Sequence, residues 1–237
     1  MMEQLIELDK QLLLFFNGSH TPFWDNFFTH FSGTAIWIPI AVLILGVIVK
    51  TKKKKALWIL LFLAVTLVLS DQISTLIKNL VERPRPSREV SLQDLVQTVN
   101  GYRGGAYGFI SSHAANSFAF AIFSTLLFRH SIYGITIFVW ATINSYSRMY
   151  LGVHYPGDIL GGIVLGLLLG GLMFWSMKKI CPKTLEQKQT CHYTQTGFSF
   201  ISIYGILAGI FLTILAISLT SFQASPVPKE MGGMFVF

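Results

Sequence analysis

Six stretches of this chain are apolar and close to membrane-spanning length, and they decide most of what it can fold into. They run 34–49, 56–77, 114–128, 132–147, 158–177 and 198–222, and the only charges inside them are Asp71 and the leading Asp158. A hydrocarbon core of ~30 Å asks for about 20 such residues in a helix. The shorter stretches reach that length by extending into neighbouring polar sequence. Backbone groups in lipid must be paired within the segment or across a closed barrel. Strand-type alternation is absent, so helices are expected. The fold class is therefore all-α: a polytopic membrane helical bundle of about six transmembrane helices. Charged residues make up 12% of the 237 residues, about half of the roughly 25% usual in soluble domains. With 52% hydrophobic and 14% aromatic residues, a disordered chain is excluded and an ordinary soluble enzyme is disfavoured.

Ahead of the spans, Leu5, Leu8, Leu12 and Phe16 recur at near-helical spacing over residues 4–16. That segment is too short and too charged to cross, and it predicts an amphipathic helix lying at the membrane surface. Phe23, Trp24, Phe27, Phe28 and Phe31 then form an aromatic cluster of the interfacial kind. Glu3, Glu7 and Asp9 stand where a cleavable signal would be basic, so no signal peptide is expected. The chain divides into an N-terminal interfacial segment (1–33), a transmembrane core (34–177), a cytoplasmic loop (178–197) and an additional transmembrane helix with a short tail (198–237).

The net charge of +7 comes from 18 basic and 11 acidic residues. It fits membrane topology better than nucleic-acid binding, because the basic residues are interleaved with apolar spans and no nucleic-acid motif is present. Ten of them (Lys50, Lys52–Lys55, Arg129, Lys178, Lys179, Lys183 and Lys188) fall in three alternate loops, which places those loops in the cytoplasm. Cys181 and Cys191 fall in the third of these loops and read as reduced free thiols rather than a disulfide or metal site. Six others, Lys78, Arg83, Arg85, Arg88, Arg103 and Arg148, lie on the opposite side, against the positive-inside tendency. A bound anion accounts for that exception. For Arg83, Arg88 and Arg103, pairing with lipid headgroups accounts for it equally well. The loop 79–112 is the one long connection on that side, and long loops are commonly functional.

Three clusters share that side: 78–86 after the second span, 108–113 before the third, and 147–158 between the fourth and fifth. Together they supply Lys78, Arg85, Arg148, His113, His154, Ser111, Ser112 and Asp158. This set suits phosphoryl transfer. Cations and hydrogen-bond donors stabilise charge on the equatorial oxygens, and arginine's planar fork matches phosphate. A helix N-terminus at 111–113 adds backbone donors. Two histidines divide nucleophilic and acid–base work. Asp158, four residues after His154, is placed to hold one imidazole nitrogen and leave the other free. Each residue also has a plain structural reading. Asp158 and Ser112 suit helix caps, Pro156-Gly157 suits a turn, and His30 and His130 read as interfacial side chains.

The spacing resembles the type 2 phosphatidic acid phosphatase (PAP2) superfamily of membrane lipid phosphatases. Lys78 followed by Arg85-Pro86 matches its first motif, and Ser147-Arg148, His154 and Asp158 match its third. The second motif, Pro-Ser-Gly-His, stands here as Ile110-Ser111-Ser112-His113, keeping serine and histidine but losing proline and glycine. The resemblance covers about residues 56–177. It implies that His154 is the nucleophile, forming a phosphohistidine, that Asp158 orients it, and that His113 protonates the leaving group and later activates water. Lys78, Arg85, Ser111, Ser112 and Arg148 would bind the phosphate. No metal and no cofactor are implied. Asp71 lies seven residues before Lys78, near the same helical face and about two turns deeper, and is expected to support the site. The implied substrate is a phosphorylated membrane lipid: undecaprenyl pyrophosphate, lipid A phosphate, phosphatidylglycerol phosphate or phosphatidic acid. The implied location is the bacterial inner membrane, with the site facing the periplasm. Vanadium haloperoxidases resemble the same anion site but are soluble. A non-catalytic carrier of anionic lipid or polyprenyl phosphate is the alternative, and it has no use for His154 paired with Asp158. Oligomeric state is not legible.

Overall fold

The computed structural model describes residues 2–185 and 191–224, and every regular element among them is helical. A helix stands at each expected span: α3 (Ile38–Lys52), α4 (Ala56–Val81), α5 (Ser112–Phe128), α6 (Ser131–Tyr150), α7 (Pro156–Ile180) and α8 (Phe200–Gln223). Two more precede them, α1 (Met2–Asn17) and α2 (Pro22–Phe31). Helix boundaries follow local chemistry. Thr21 Oγ1 accepts the Trp24 N–H, with Pro22 in the first turn of α2, and Ser199 Oγ accepts the Ser202 N–H at the start of α8. At the far ends, Glu82 (φ 51°) and Arg129 (φ 48°) take left-handed caps after α4 and α5.

Three segments are long and apolar enough to cross a membrane: Ala35–Val81, Pro156–Ile180 and Phe200–Gln223. The first is a hairpin. The chain turns back at Lys53 (φ 51°), so that Ile40 with Asp71 and Ile44 with Leu67 face one recess. At 17 residues α5 is shorter, and α6 carries Asn144, Ser145, Ser147 and Arg148 in its last turns, all buried. The outer face of α7 exposes Leu160, Val164, Leu168, Leu172 and Trp175, a stripe suited to lipid. Its opposite face carries Gly162, Gly166 and Gly170, each lying against α5 backbone. Small residues four apart let two helix backbones approach closely. This α5–α7 pair, the most extensive in the bundle, sets the two helix N-termini side by side.

The N-terminal segment, expected as an amphipathic helix at the membrane surface, also packs against the bundle. Leu5, Leu8, Leu12 and Phe15 are exposed, but Leu13 and Asn17 are fully buried, and α1 packs on α6 and α7. The cause is Asn17. Its amide donates to Gln97 O (2.9 Å) and Tyr150 O (2.7 Å), and its carbonyl accepts the Gln97 N–H (2.8 Å). Periodicity cannot signal such a tie. In α2, Phe27, Phe28 and Phe31 turn inward beside Tyr150, Leu151 and Ile217. Within 178–197, Thr194 and Thr196 are buried, as is Phe198 just beyond, and Thr196 Oγ1 donates to Leu127 O (2.6 Å). Lys188 and the tail carrying Pro226, Pro228 and Lys229 lie outside the described residues. Cys181 and Cys191 are free thiols.

Candidate active site

The end of α4, the end of α6, and the starts of α5 and α7 converge at one end of the bundle, under the loop 82–111. His154 sits just before α7 and is 1% exposed; Asp158, in the first turn of α7, is fully buried. His154 Nδ1 faces Asp158 Oδ2 at 3.2 Å, while Nε2 faces Arg85 Nη1 at 3.0 Å. A carboxylate only accepts and a guanidinium only donates. The imidazole is therefore fixed with its proton on Nδ1 and a lone pair on Nε2. Burial first, then the charges of Arg85, Arg148 and Lys78, push His154 well below its ordinary pKa, so the ring is neutral and nucleophilic at neutral pH. Asp158 also accepts the Tyr155 N–H (3.0 Å). Its capping and orienting roles, alternatives in the sequence, coexist in one side chain.

Arg85 is aimed by two further bonds, Nε to Tyr107 O (3.0 Å) and Nη1 to Val153 O (3.2 Å). Gly104 (φ +65°) passes so close to this guanidinium that a Cβ would lie 2.9 Å from it. Burial and then Arg148 lower the Arg85 pKa. Arg148 is 4% exposed, donates to Tyr102 Oη (3.0 Å), and leaves a buried Nε without a partner. Lys78 Nζ donates to Ser112 Oγ, which shares a 2.6 Å hydrogen bond with Ser74 Oγ. Three cations thus surround His154, and one carries a spare buried donor, an arrangement suited to a tetrahedral anion.

The remaining expected residues divide. Ser111 is the N-cap of α5: its Oγ accepts the Ala114 N–H (3.4 Å) and its own N–H donates to Asp158 O (3.0 Å). Those groups are engaged in building the site. Ser112, expected as a possible cap, instead turns to Lys78. Asp71 makes no hydrogen bond to a site cation; Asn116 Nδ2 donates to it at 3.5 Å. With Ser112, His113 and Asn116 it lines a recess of about 440 Å³ whose other walls include Trp37, Ile40, Phe120 and Trp140. His113 therefore stands between the anion site and a largely apolar hollow. A shallower depression of about 730 Å³, around Arg129 and His130 at the other end of α5 and α6, is remote from these groups.

Several contributors were missed. Arg83 donates to Asp158 Oδ1 (3.1 Å) and lies 3.8 Å over the Tyr155 ring. A Cβ at Gly108 would lie 2.8 Å from Asp158 Oδ2, so only glycine lets the loop close over the carboxylate. Asp9 of α1 reaches Arg83. Arg88 ties the loop together by donating to Gly104 O and Gly105 O. The sequence signal for Arg83 and Arg88 was charge in a loop that alternates with the lysine-rich ones; nothing local marked Asp9.

Comparison with known proteins agrees with this geometry. Residues 55–181 match the model of the PAP2 superfamily. The chain is 46% identical over 186 residues to a lipid A 4'-phosphatase of Bacteroides thetaiotaomicron, covering 77% of this chain and 83% of that protein. It is 37% identical over 175 residues to a lipid A 4'-phosphatase of Porphyromonas gingivalis, covering 73% and 74%. The crystal structure of Aquifex aeolicus LpxE superposes with a TM-score of 0.57 at 25% identity, covering 71% of this chain and 95% of that one. With 46% identity across most of a relative's length and a family match over more than half of its own, this chain belongs to the PAP2 superfamily.

Proposed function

We propose that this protein removes the 4'-phosphate from lipid A or a close precursor, through a phosphohistidine on His154. That it is a lipid phosphatase of the PAP2 class, in a bacterial membrane, follows from its family and relatives. The choice of lipid A rests on the two relatives that carry that name. The observation that carries the mechanism is the fixed tautomer of His154, with Nδ1 on Asp158 and a lone pair on Nε2 beside Arg85.

In this reading Arg85, Arg148 and Lys78 hold the phosphate, with Ser112 beside Lys78. The His154 Nε2 lone pair attacks phosphorus. As the N–P bond forms, the P–O bond to the lipid breaks, and His113, protonated once the bound phosphate's negative charge offsets Lys78, Arg85 and Arg148, gives its proton to the departing oxygen. Asp158 stabilises the charge gained by the imidazole. Water then enters the leaving-group position, returns a proton to His113 and attacks phosphorus. The N–P bond breaks and inorganic phosphate leaves. Because His113 protonates the leaving oxygen, the lipid lies on its side of the site, where the recess between α3, α4, α5, α6 and α8 opens.

The same reading carries six crossings by α3–α8, with 178–197 cytoplasmic, α1 and α2 at the opposite interface, and the site periplasmic. The charge distribution supports that orientation. A panel of phosphorylated lipids, with detergent-purified protein and His154→Ala alongside, tests the proposal. Release from lipid A that disappears in the variant is expected. Release only from undecaprenyl pyrophosphate or phosphatidic acid would refute the lipid A assignment.

A further inference from the structure

The segment that matches the family begins at residue 55, yet a side chain from α1 reaches its catalytic centre. Asp9 Oδ2 accepts from Arg83 Nη2 at 2.8 Å, and Asp9 Oδ1 accepts the Gly157 N–H at 2.7 Å across 148 residues of chain. Both partners lead to Asp158. Arg83 donates through its other nitrogen, Nη1, to Asp158 Oδ1 at 3.1 Å, and Gly157 is the preceding residue. Asp158 Oδ2 is the oxygen that faces His154 Nδ1. A Cβ on Gly157 would lie 2.9 Å from the Asp9 carboxylate, so the fit leaves room for no side chain there.

We infer that Asp9 is a positioning residue for the phosphatase reaction: through Arg83 and the start of α7, it locks the Asp158 carboxylate against His154. The inference rests on His154 acting as the nucleophile. The geometry favours this role over simple docking of the helix. α1 is anchored independently one and two turns further on, by buried Leu13 and by the hydrogen bonds of Asn17 to Gln97 and Tyr150. Arg83 also has a choice that Asp9 settles. With one fork nitrogen on Asp9 and its face on Tyr155, the guanidinium stays in position and meets one oxygen of Asp158. Without Asp9 it is free to move onto both oxygens, or toward the nearby phosphate site, and Asp158 loses its fixed angle to the imidazole.

Asp9→Asn separates the two roles. Its carbonyl still accepts the Gly157 N–H, but its amide sets a donor against a donor at Arg83. The assay is steady-state phosphate release by the full-length protein, with thermal unfolding measured in parallel, for Asp9→Asn, Arg83→Ala, the double variant and His154→Ala. The expected result for Asp9→Asn is a fall in kcat of about tenfold, the scale of a modest misplacement, with KM and unfolding unchanged. The double variant is expected to lose no more than Arg83→Ala alone. An unchanged kcat would overturn the inference, as would a loss confined to KM or to unfolding, or losses that multiply in the double variant. Full activity in His154→Ala would instead overturn the catalytic reading beneath it.

Discussion

Replacing Gly166 with alanine tests whether the catalytic geometry depends on the close approach of α5 and α7. A Cβ at this position would lie 2.3 Å from Ala115 O and 2.9 Å from Ala119 N, where ordinary contact begins at 3.4 Å. The shortfall at the carbonyl is 3.4 − 2.3 = 1.1 Å, and both obstacles are backbone, so the helices must part. Overpacking of this kind costs about 1–3 kcal/mol, against a gain of about 1 kcal/mol for alanine over glycine in a helix. The catalytic effect is expected to be larger. His113 lies on α5 two residues before Ala115, while Asp158 and the preceding His154 belong to the α7 side. Parting the helices moves His113 away from His154, and a 1 Å misplacement costs on the order of 10²-fold in rate. Gly171→Ala, on the same helix, is the control, because a Cβ there meets no neighbouring group within 4 Å. Phosphate release and thermal unfolding of the two purified variants are the assays. Wild-type activity in Gly166→Ala, or equal damage in Gly171→Ala, would show that the site does not depend on this close approach.

Three further outcomes are expected. Arg85→Lys keeps the charge but loses the fork that reaches Tyr107 O, Val153 O and His154 Nε2; kcat/KM should fall about 10²-fold, the cost of removing one transition-state donor. Because the His154 pKa is lowered by burial and then by Arg85, Arg148 and Lys78, the ring stays neutral as pH falls below its ordinary value of 6.5. NMR titration of ¹⁵N-histidine-labelled protein in a His113→Ala background should show this, and Arg85→Ala should move the transition upward. Phosphate release should continue in excess chelator, since Lys78, Arg85 and Arg148 already supply the positive charge; loss of release that an added divalent ion reverses would show that a metal is needed.

The six apolar stretches were legible because lipid imposes one answer on long uncharged sequence, and helices stand at all six. His113, His154, Asp158, Lys78, Arg85 and Arg148 stood out by charge and spacing, and the structure gathers them around His154. The site's support was not. Asp9 looked like one acid on an amphipathic helix, and its partner Gly157 is 148 residues away. Arg83 was indistinguishable from a headgroup contact until its two carboxylates were placed. Asp71 was expected from helical spacing to support the site, and its side chain meets Asn116 at the edge of the recess that Ser112 and His113 also line. Ser111 and Ser112 differ by one residue in sequence and by function in space, because the helix starts between them.

On the proposed mechanism His154 carries the phosphoryl group. The most direct test is to quench the enzyme in alkali while it turns over lipid A labelled with ³²P at the 4'-phosphate, then map the label on the protein. Alkali-stable, acid-labile label on His154 is expected in the wild type and none in His154→Ala. Turnover with no labelled protein at any quench time, or label on a different residue, would contradict that mechanism.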